Sequence, residues 1–185
     1  MYLKGTGLLI VGLLMVGAEG VELCLPNAGE RSVAQINPEN GGRCEVLFNV
    51  PIVDIQQIWT PDMGTPLTGR KWWLSKPSAP QSSMPCIAYF NMAERNRFFF
   101  GAEALEWDCL IESKINQEKG VYDVKLTVSA GEGRKLKPFA VTLDRRNVPW
   151  TQAVGEWRDS LAYAKGTYPD GAWEPAFCLL VIYCA

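Results

Sequence analysis

The stretch VYDVKLTVS, residues 121–129, decides the fold, because apolar and polar side chains alternate along it. Successive side chains of a β-strand point to opposite faces of the sheet, so this alternation gives one apolar and one polar face. The apolar face takes Tyr122, Val124, Leu126 and Val128. The opposite face takes Val121, Asp123, Lys125 and Thr127. The pattern predicts a strand of an antiparallel sheet, with the first set in the core and the second facing water.

The sequence around this strand repeats the same organisation of short β-type runs separated by turn residues. Residues 103–115 (EALEWDCLIESKI) precede it as a pairing partner, and residues 86–102 (CIAYFNMAERNRFFFGA) predict two strands joined by a tight turn near Glu94 to Asn96. Residues 137–145 (KPFAVTLDR) supply the last strand of the same layer. The series favours a mainly β fold, an antiparallel β-sandwich that occupies residues 19–144.

The hydrophobic period changes from that of a strand to that of a helix after Asn147. In residues 147–166 (NVPWTQAVGEWRDSLAYAKG), one apolar face contains Trp150, Val154, Trp157 and Leu161. This spacing predicts an amphipathic helix that starts at Pro149 and stops at Gly166. The charged side chains of the opposite face are expected to be solvated; they are Glu156, Arg158 and Asp159. The helix and its linker are assigned to residues 145–174.

Composition excludes several kinds of site. The chain has 185 residues, a net charge of −2 and no histidine. Catalytic triads with histidine, Cys-His nucleophiles and HExxH zinc sites all need an imidazole, so this chain cannot form them by itself. The six cysteines include no CxxC pair, which favours isolated buried thiols over a zinc site or a disulfide framework. We therefore expect no metal, no cofactor and, from the interspersed charges, no nucleic-acid partner.

A long loop rich in Pro, Gly and Ser, residues 60–85, interrupts the β pattern. Loops of this length inside a compact domain often carry function. Exposed indole faces suit the apolar side of a sugar ring, and a neighbouring carboxylate can accept hydrogen bonds from hydroxyl groups. The predicted substrate-binding residues are Trp59, Asp62, Trp72 and Trp73. The alternative is that these tryptophans hold the loop against the sandwich.

Both ends of the chain are apolar. Residues 1–18 form either a secretory signal cleaved after Ala18 or a first strand, so localisation stays open between secreted and cytoplasmic. The apolar stretch is too short to span a membrane comfortably, and no membrane partner is expected. Residues 175–185 (PAFCLLVIYCA) have the composition of a buried strand that needs neighbours on both sides.

Four segments resemble a known family: PFAVTLDRRNVPWTQAVGEWRDSL (138–161), YPDGAWEPAFC (168–178), VDIQQIWTPDMG (53–64) and NRFFFGAEALEWDC (96–109). They are similar to the melibiase-type α-galactosidases, glycoside hydrolase family 36, over residues 51–178. The most specific part is the LDRR-x-x-PW-x-x-A-x-x-x-WRD string. The resemblance implies an N-terminal β-supersandwich, a connecting helix and the first strand, residues 175–185, of a (β/α)₈ barrel that is missing here.

The expected first barrel strand differs from the family. There a Ser-Trp pair commonly follows a small residue, whereas here Cys178 precedes Leu179, Leu180 and Val181. The codons CTC CTG GTN for Leu-Leu-Val contain TCC TGG, which encodes Ser-Trp, in the next reading frame. We therefore expect a single-base shift near Cys178 to have replaced the strand.

The resemblance also implies a function. Members of the family are retaining hydrolases of terminal α-galactosides, in which one carboxylate attacks the sugar and a second acts as acid and then base. In the family, both carboxylates lie on later strands of the barrel. No catalytic residue is therefore assigned in this chain, and the chain is expected to be inactive alone. The implied partners are an α-galactoside or a related carbohydrate and further copies of the chain. The alternatives are a stand-alone carbohydrate-binding β-sandwich and an oligomerisation domain.

Overall fold

The structure is a computed structural model that describes residues 16–17, 20–38, 41–61, 67–68 and 85–161. These residues form eleven strands and one helix. The strands are β1 Val16–Gly17, β2 Gly20–Glu22, β3 Arg31–Ile36, β4 Arg43–Pro51, β5 Gln57–Trp59, β6 Leu67–Thr68, β7 Cys86–Phe90, β8 Asn96–Ala102, β9 Asp108–Asn116, β10 Val121–Ser129 and β11 Phe139–Asp144. The helix is α1 Trp150–Ser160.

The strands form two sheets. The first has the order β1-β2-β4-β10-β9, and the second has the order β3-β11-β8-β7-β5-β6. Neighbouring strands are antiparallel except β2 and β4, which are parallel. The predicted mainly β fold with a following helix is therefore confirmed.

The prediction that residues 137–145 close the same layer as β9 and β10 is wrong. β11 pairs with β3 and β8 in the six-stranded sheet, whereas β9 and β10 belong to the five-stranded sheet. The connection after Ser129 contains Gly131 and Gly133 with φ of 75° and 71°, a left-handed backbone that glycine adopts without strain. This connection leads the chain from one sheet to the other.

β10 is the central strand that the sequence predicted. It pairs along all nine residues with β4 on one side and β9 on the other. Its predicted core residues, Tyr122, Val124, Leu126 and Val128, are all buried. Thr127, predicted to face water, is 8% exposed, because it lies between Glu45 and Leu110 in the registers with its two neighbours.

Aromatic side chains from both sheets fill the core between them. Phe48 of β4 stacks on Phe100 of β8 with ring centroids 4.7 Å apart. Tyr89 of β7 lies 5.2 Å from Tyr122 of β10, and its hydroxyl lies 2.7 Å from the Ser113 hydroxyl of β9. Burial raises the pKa of Tyr89, so its hydroxyl stays protonated and can donate this inter-sheet hydrogen bond.

The predicted helix is confirmed, and its four apolar positions are buried. It ends at Ser160 rather than near Gly166, because Leu161 adopts an extended backbone and is buried in the apolar cluster beneath the helix. Gly166, the linker and the expected barrel strand at 175–185 lie outside the described residues, as do residues 1–15. Within the described part, no helix has the length and apolar character needed to cross a membrane.

Candidate functional site

The structure describes one of the four residues predicted to bind sugar. Trp59, at the end of β5, is 5% exposed, and its ring centroid lies 5.1 Å from that of Trp150. The exposed indole face expected at Trp59 is not found, because the first residue of α1 packs against this ring. Asp62, Trp72 and Trp73 lie outside the described residues, and their contact with sugar stays a prediction.

The Trp59–Trp150 contact belongs to an apolar cluster between α1 and the outer face of the six-stranded sheet. Trp150 stacks on Phe90 with ring centroids 4.7 Å apart and an interplanar angle of 12°. Trp157 is fully buried beside Phe99, at a centroid distance of 5.7 Å. The helix therefore covers this face and forms part of the folded domain.

A charge network joins the end of β11 to α1. Asp144 is 0% exposed, and its carboxylate accepts hydrogen bonds from Nε and Nη2 of Arg146 at 3.0 and 2.6 Å. Nη2 of Arg146 also donates to Glu156 of α1 at 2.5 Å, and Arg31 of β3 donates to the same oxygen at 2.9 Å. The expectation that Glu156 is simply solvated is wrong, because these two guanidinium groups hold it.

The network keeps the carboxylate of Glu156 ionised. Burial opposes ionisation of Glu156, but hydrogen bonds from Gln152 and Arg146 outweigh it and lower the pKa of Glu156. The hydrogen bond to Asp144 raises the pKa of Arg146, despite partial burial of the guanidinium. A glycosidase of the two-carboxylate type needs one acid that can be protonated and one nucleophile that can reach the sugar. Asp144 and Glu156 share a guanidinium partner and Asp144 is inaccessible, so the network serves to fasten the helix.

The turn between β7 and β8, together with Asn96 at the start of β8, forms hydrogen bonds to the backbone of the segment that joins β11 to α1. The Nδ2 amide of Asn96 donates to the carbonyl oxygens of Asp144 and Arg146, both at 3.1 Å. The carbonyl of Glu94 accepts from the backbone N–H of Trp150 at 3.0 Å. Glu94 has a φ of 54°, as the predicted tight turn requires. The LDRR-x-x-PW segment is thus fixed at the sandwich by charge, by apolar packing and by main-chain hydrogen bonds.

A second candidate site is a groove of about 390 Å³ on the outer face of the five-stranded sheet. The residues that line it include Glu22, Leu47, Asn49, Glu112, Asp123 and Lys125. Nζ of Lys125 lies 2.7 Å from Glu112, and Asp123 accepts a hydrogen bond from Asn116 at 3.0 Å. Carboxylate, ammonium and amide groups around a half-buried leucine can bind the hydroxyl groups and the C–H face of a polyol. The alternation of residues 121–129 places Asp123 and Lys125 on this face, although sequence reasoning did not recognise the groove.

Four of the six cysteines lie among the described residues: Cys24, Cys44, Cys86 and Cys109. Cys86 and Cys109 are buried, as predicted, and burial raises the pKa of Cys109 to about 12. Cys44 is half-buried, and burial raises its pKa as well. Cys24 is exposed, so the prediction of buried thiols does not hold there. Across the described residues, no three Cys, Asp or Glu side chains lie close enough together to hold a metal ion.

Comparison with known proteins gives no further assignment. No protein-family model, no curated protein and no solved structure matches the chain.

Proposed function

We propose that this chain is the N-terminal scaffold domain of an α-galactosidase-like glycoside hydrolase, and that it positions a catalytic barrel without cleaving the sugar itself. The observation that carries the proposal is the anchoring of the LDRR-x-x-PW-x-x-A-x-x-x-WRD string, residues 143–159, on the sandwich. Its residues Asp144, Arg146, Trp150 and Trp157 all pack or bond against the sandwich.

A scaffold must hold the following domain at a defined place and angle. Segment 144–161 has this property, because its charged network, its apolar cluster and the bonds from Asn96 act on the same few residues. A rigid connection matters for catalysis, since small displacements of reacting groups slow a reaction strongly. The packing of the helix on the sheet therefore supports a positioning role better than a role as a loose linker.

The described carboxylates support the proposal that this domain positions the barrel and does not cleave the sugar. Retaining hydrolysis needs two carboxyl groups about 5 Å apart on either side of the scissile bond. Asp144 and Glu156 are held by the same guanidinium nitrogen, and Asp144 has no contact with solvent. We therefore assign cleavage to residues outside the sandwich and the helix.

The direct test is an assay of the purified 185-residue protein with a chromogenic α-galactoside. We expect no turnover above the uncatalysed rate, and turnover at an enzymatic rate would contradict the scaffold proposal.

The groove on the five-stranded sheet favours a second candidate, a carbohydrate-binding β-sandwich. Calorimetric titration with methyl α-galactoside tests this function. If the groove is the site, binding is saturable and is lost in Asp123→Ala and Lys125→Ala, whereas Glu132→Ala in an exposed turn leaves it unchanged. If the loop is the site, Trp72→Ala and Trp73→Ala abolish binding and the groove variants retain it. Absence of saturable binding removes this candidate.

A further inference from the structure

β9 is a terminal strand of the five-stranded sheet, with β10 as its one neighbour among the described residues. The two strands pair without a register shift from Asp108 opposite Ser129 to Asn116 opposite Val121. The nine residues of β9 include no proline and no glycine. Alternate N–H and C=O groups of such a strand point away from its neighbour and can pair with a further strand.

Proteins usually block such edges with short strands, prolines, bulges or charged side chains. β9 is long, regular and free of proline, so charge is what remains to control its pairing. Glu112 is already engaged by Lys125 of β10, at 2.7 Å. Asp108 and Lys114 are exposed, and neither has a hydrogen-bond or ion-pair partner within the described part of the chain.

The positions of these two charges are symmetrical. Asp108 and Lys114 lie three residues before and three residues after Ile111, and both point to the outer face of the sheet. A two-fold axis perpendicular to the sheet at Ile111 sets Asp108 of each copy opposite Lys114 of the other. The same axis sets Leu110 opposite Glu112 on the outer face and Cys109 opposite Ser113 on the inner face.

We infer that two copies of this chain associate through antiparallel β9–β9 pairing about Ile111, which joins two five-stranded sheets into one continuous sheet. The interface is isologous, as in most symmetric dimers, and its backbone hydrogen bonds provide attraction while the two Asp108–Lys114 pairs define the register. This inference does not depend on the proposed function.

Other registers are less favourable. An axis at Glu112 sets two glutamates opposite each other, and an axis at Lys114 does the same for two lysines; like charges directly opposite destabilise strand pairing. An axis at Ser113 pairs Lys114 with Glu112, which Lys125 already holds, and sets Asp108 opposite Glu118. The axis at Ile111 is the one that uses the two free charges.

Charge reversal and sedimentation equilibrium of the full chain test the inference. The wild type should show a concentration-dependent monomer–dimer equilibrium. Asp108→Lys or Lys114→Asp alone should raise the dimer Kd at least about tenfold, because each change replaces two attractive pairs by two repulsive ones. The double variant Asp108→Lys/Lys114→Asp should restore the wild-type Kd. Far-ultraviolet circular dichroism checks that every variant is folded.

Glu132→Lys, in an exposed turn away from β9, is the matched control and should leave the Kd unchanged. A wild type that stays monomeric at millimolar concentration would overturn the inference. Rescue of Lys114→Asp by Glu112→Lys and not by Asp108→Lys would place the axis at Ser113 and overturn the proposed register. Equal dimerisation of all the folded variants would show that the contact lies elsewhere, with the same consequence.

Discussion

Trp157 lies so close to Gly101 that a Cβ atom at residue 101 would stand 2.5 Å from Cε2 of the indole. Gly101 belongs to β8 and Trp157 to α1, so the helix reaches the sheet backbone at this point. A glycine in a strand often marks a close approach by another element, and here the approaching group is one of the two tryptophan side chains of the helix.

Gly101→Ala should destabilise the domain by about 1–3 kcal/mol, because the fully buried indole has no room to move away from the added methyl group. Gly155→Ala is the matched control. Apart from its chain neighbours and the backbone of its own helix, no atom lies within 4 Å of a Cβ at residue 155, and alanine is preferred in a helix interior, so this variant should gain about 0.5–1 kcal/mol. Urea unfolding measures both values, and equal effects of the two substitutions would contradict the packing argument.

Asp144→Asn should cost about 3 kcal/mol, the lower end of the range for breaking a buried ion pair, since Arg146 is 28% exposed. The substitution keeps the size of the side chain and removes the charge that Arg146 faces. Asp159→Asn provides the comparison, because its carboxylate is exposed and bonds to the adjacent Arg158. It should change the free energy of unfolding by less than about 0.5 kcal/mol. The network assignment fails if both variants unfold at the same urea concentration.

The contribution of Glu156 should depend on pH. Its pKa is lower in the folded protein than the ordinary value of 4.5, so its ionised form stabilises the fold above that pH. Because the side chain is 35% exposed, we expect Glu156→Gln to cost about 0.5–1 kcal/mol at pH 7. As the pH falls below 4.5, the carboxylate becomes protonated and the difference between variant and wild type should shrink towards zero. Unfolding curves of both proteins between pH 7 and pH 3 measure it, and a constant difference would contradict the charged contact.

The Tyr89–Ser113 hydrogen bond between the sheets should appear in a double-mutant cycle. Tyr89→Phe leaves the buried Ser113 hydroxyl without its partner, and Ser113→Ala does the same to Tyr89, so each should cost about 1–3 kcal/mol. The double variant leaves neither group unpaired and should cost less than the sum of the two. Unfolding of all four proteins measures the coupling, expected at about 1 kcal/mol. Strict additivity would show that the bond contributes nothing.

Much of the fold follows from local patterns. The alternation along residues 121–129 predicted β10 and four of its core residues, and the spacing of Trp150, Val154 and Trp157 predicted the buried face of α1. These patterns are informative because a strand or a helix places residues on faces by its own geometry, whatever it packs against.

The candidate sites depended on contacts that no local pattern encodes. Trp59 looked like a free sugar platform beside a loop, but the packing of α1 covers its ring. Glu156 looked like a solvated helix residue, but Arg31, remote in sequence, lies beside it once β3 pairs with β11. The assignment of β11 to the second sheet was missed for a similar reason, since the period of a strand does not indicate which neighbour it pairs with.

The sequence by itself determined the strands from β7 to β11, the helix and which side of β10 faces the core, because each of these depends on the order of apolar and polar side chains along the chain. The tertiary structure alone decided which sheet each strand joins, which indoles are covered and which charges meet. Those outcomes depend on distances between residues far apart in the chain, and these distances are set only when both sheets and α1 pack together.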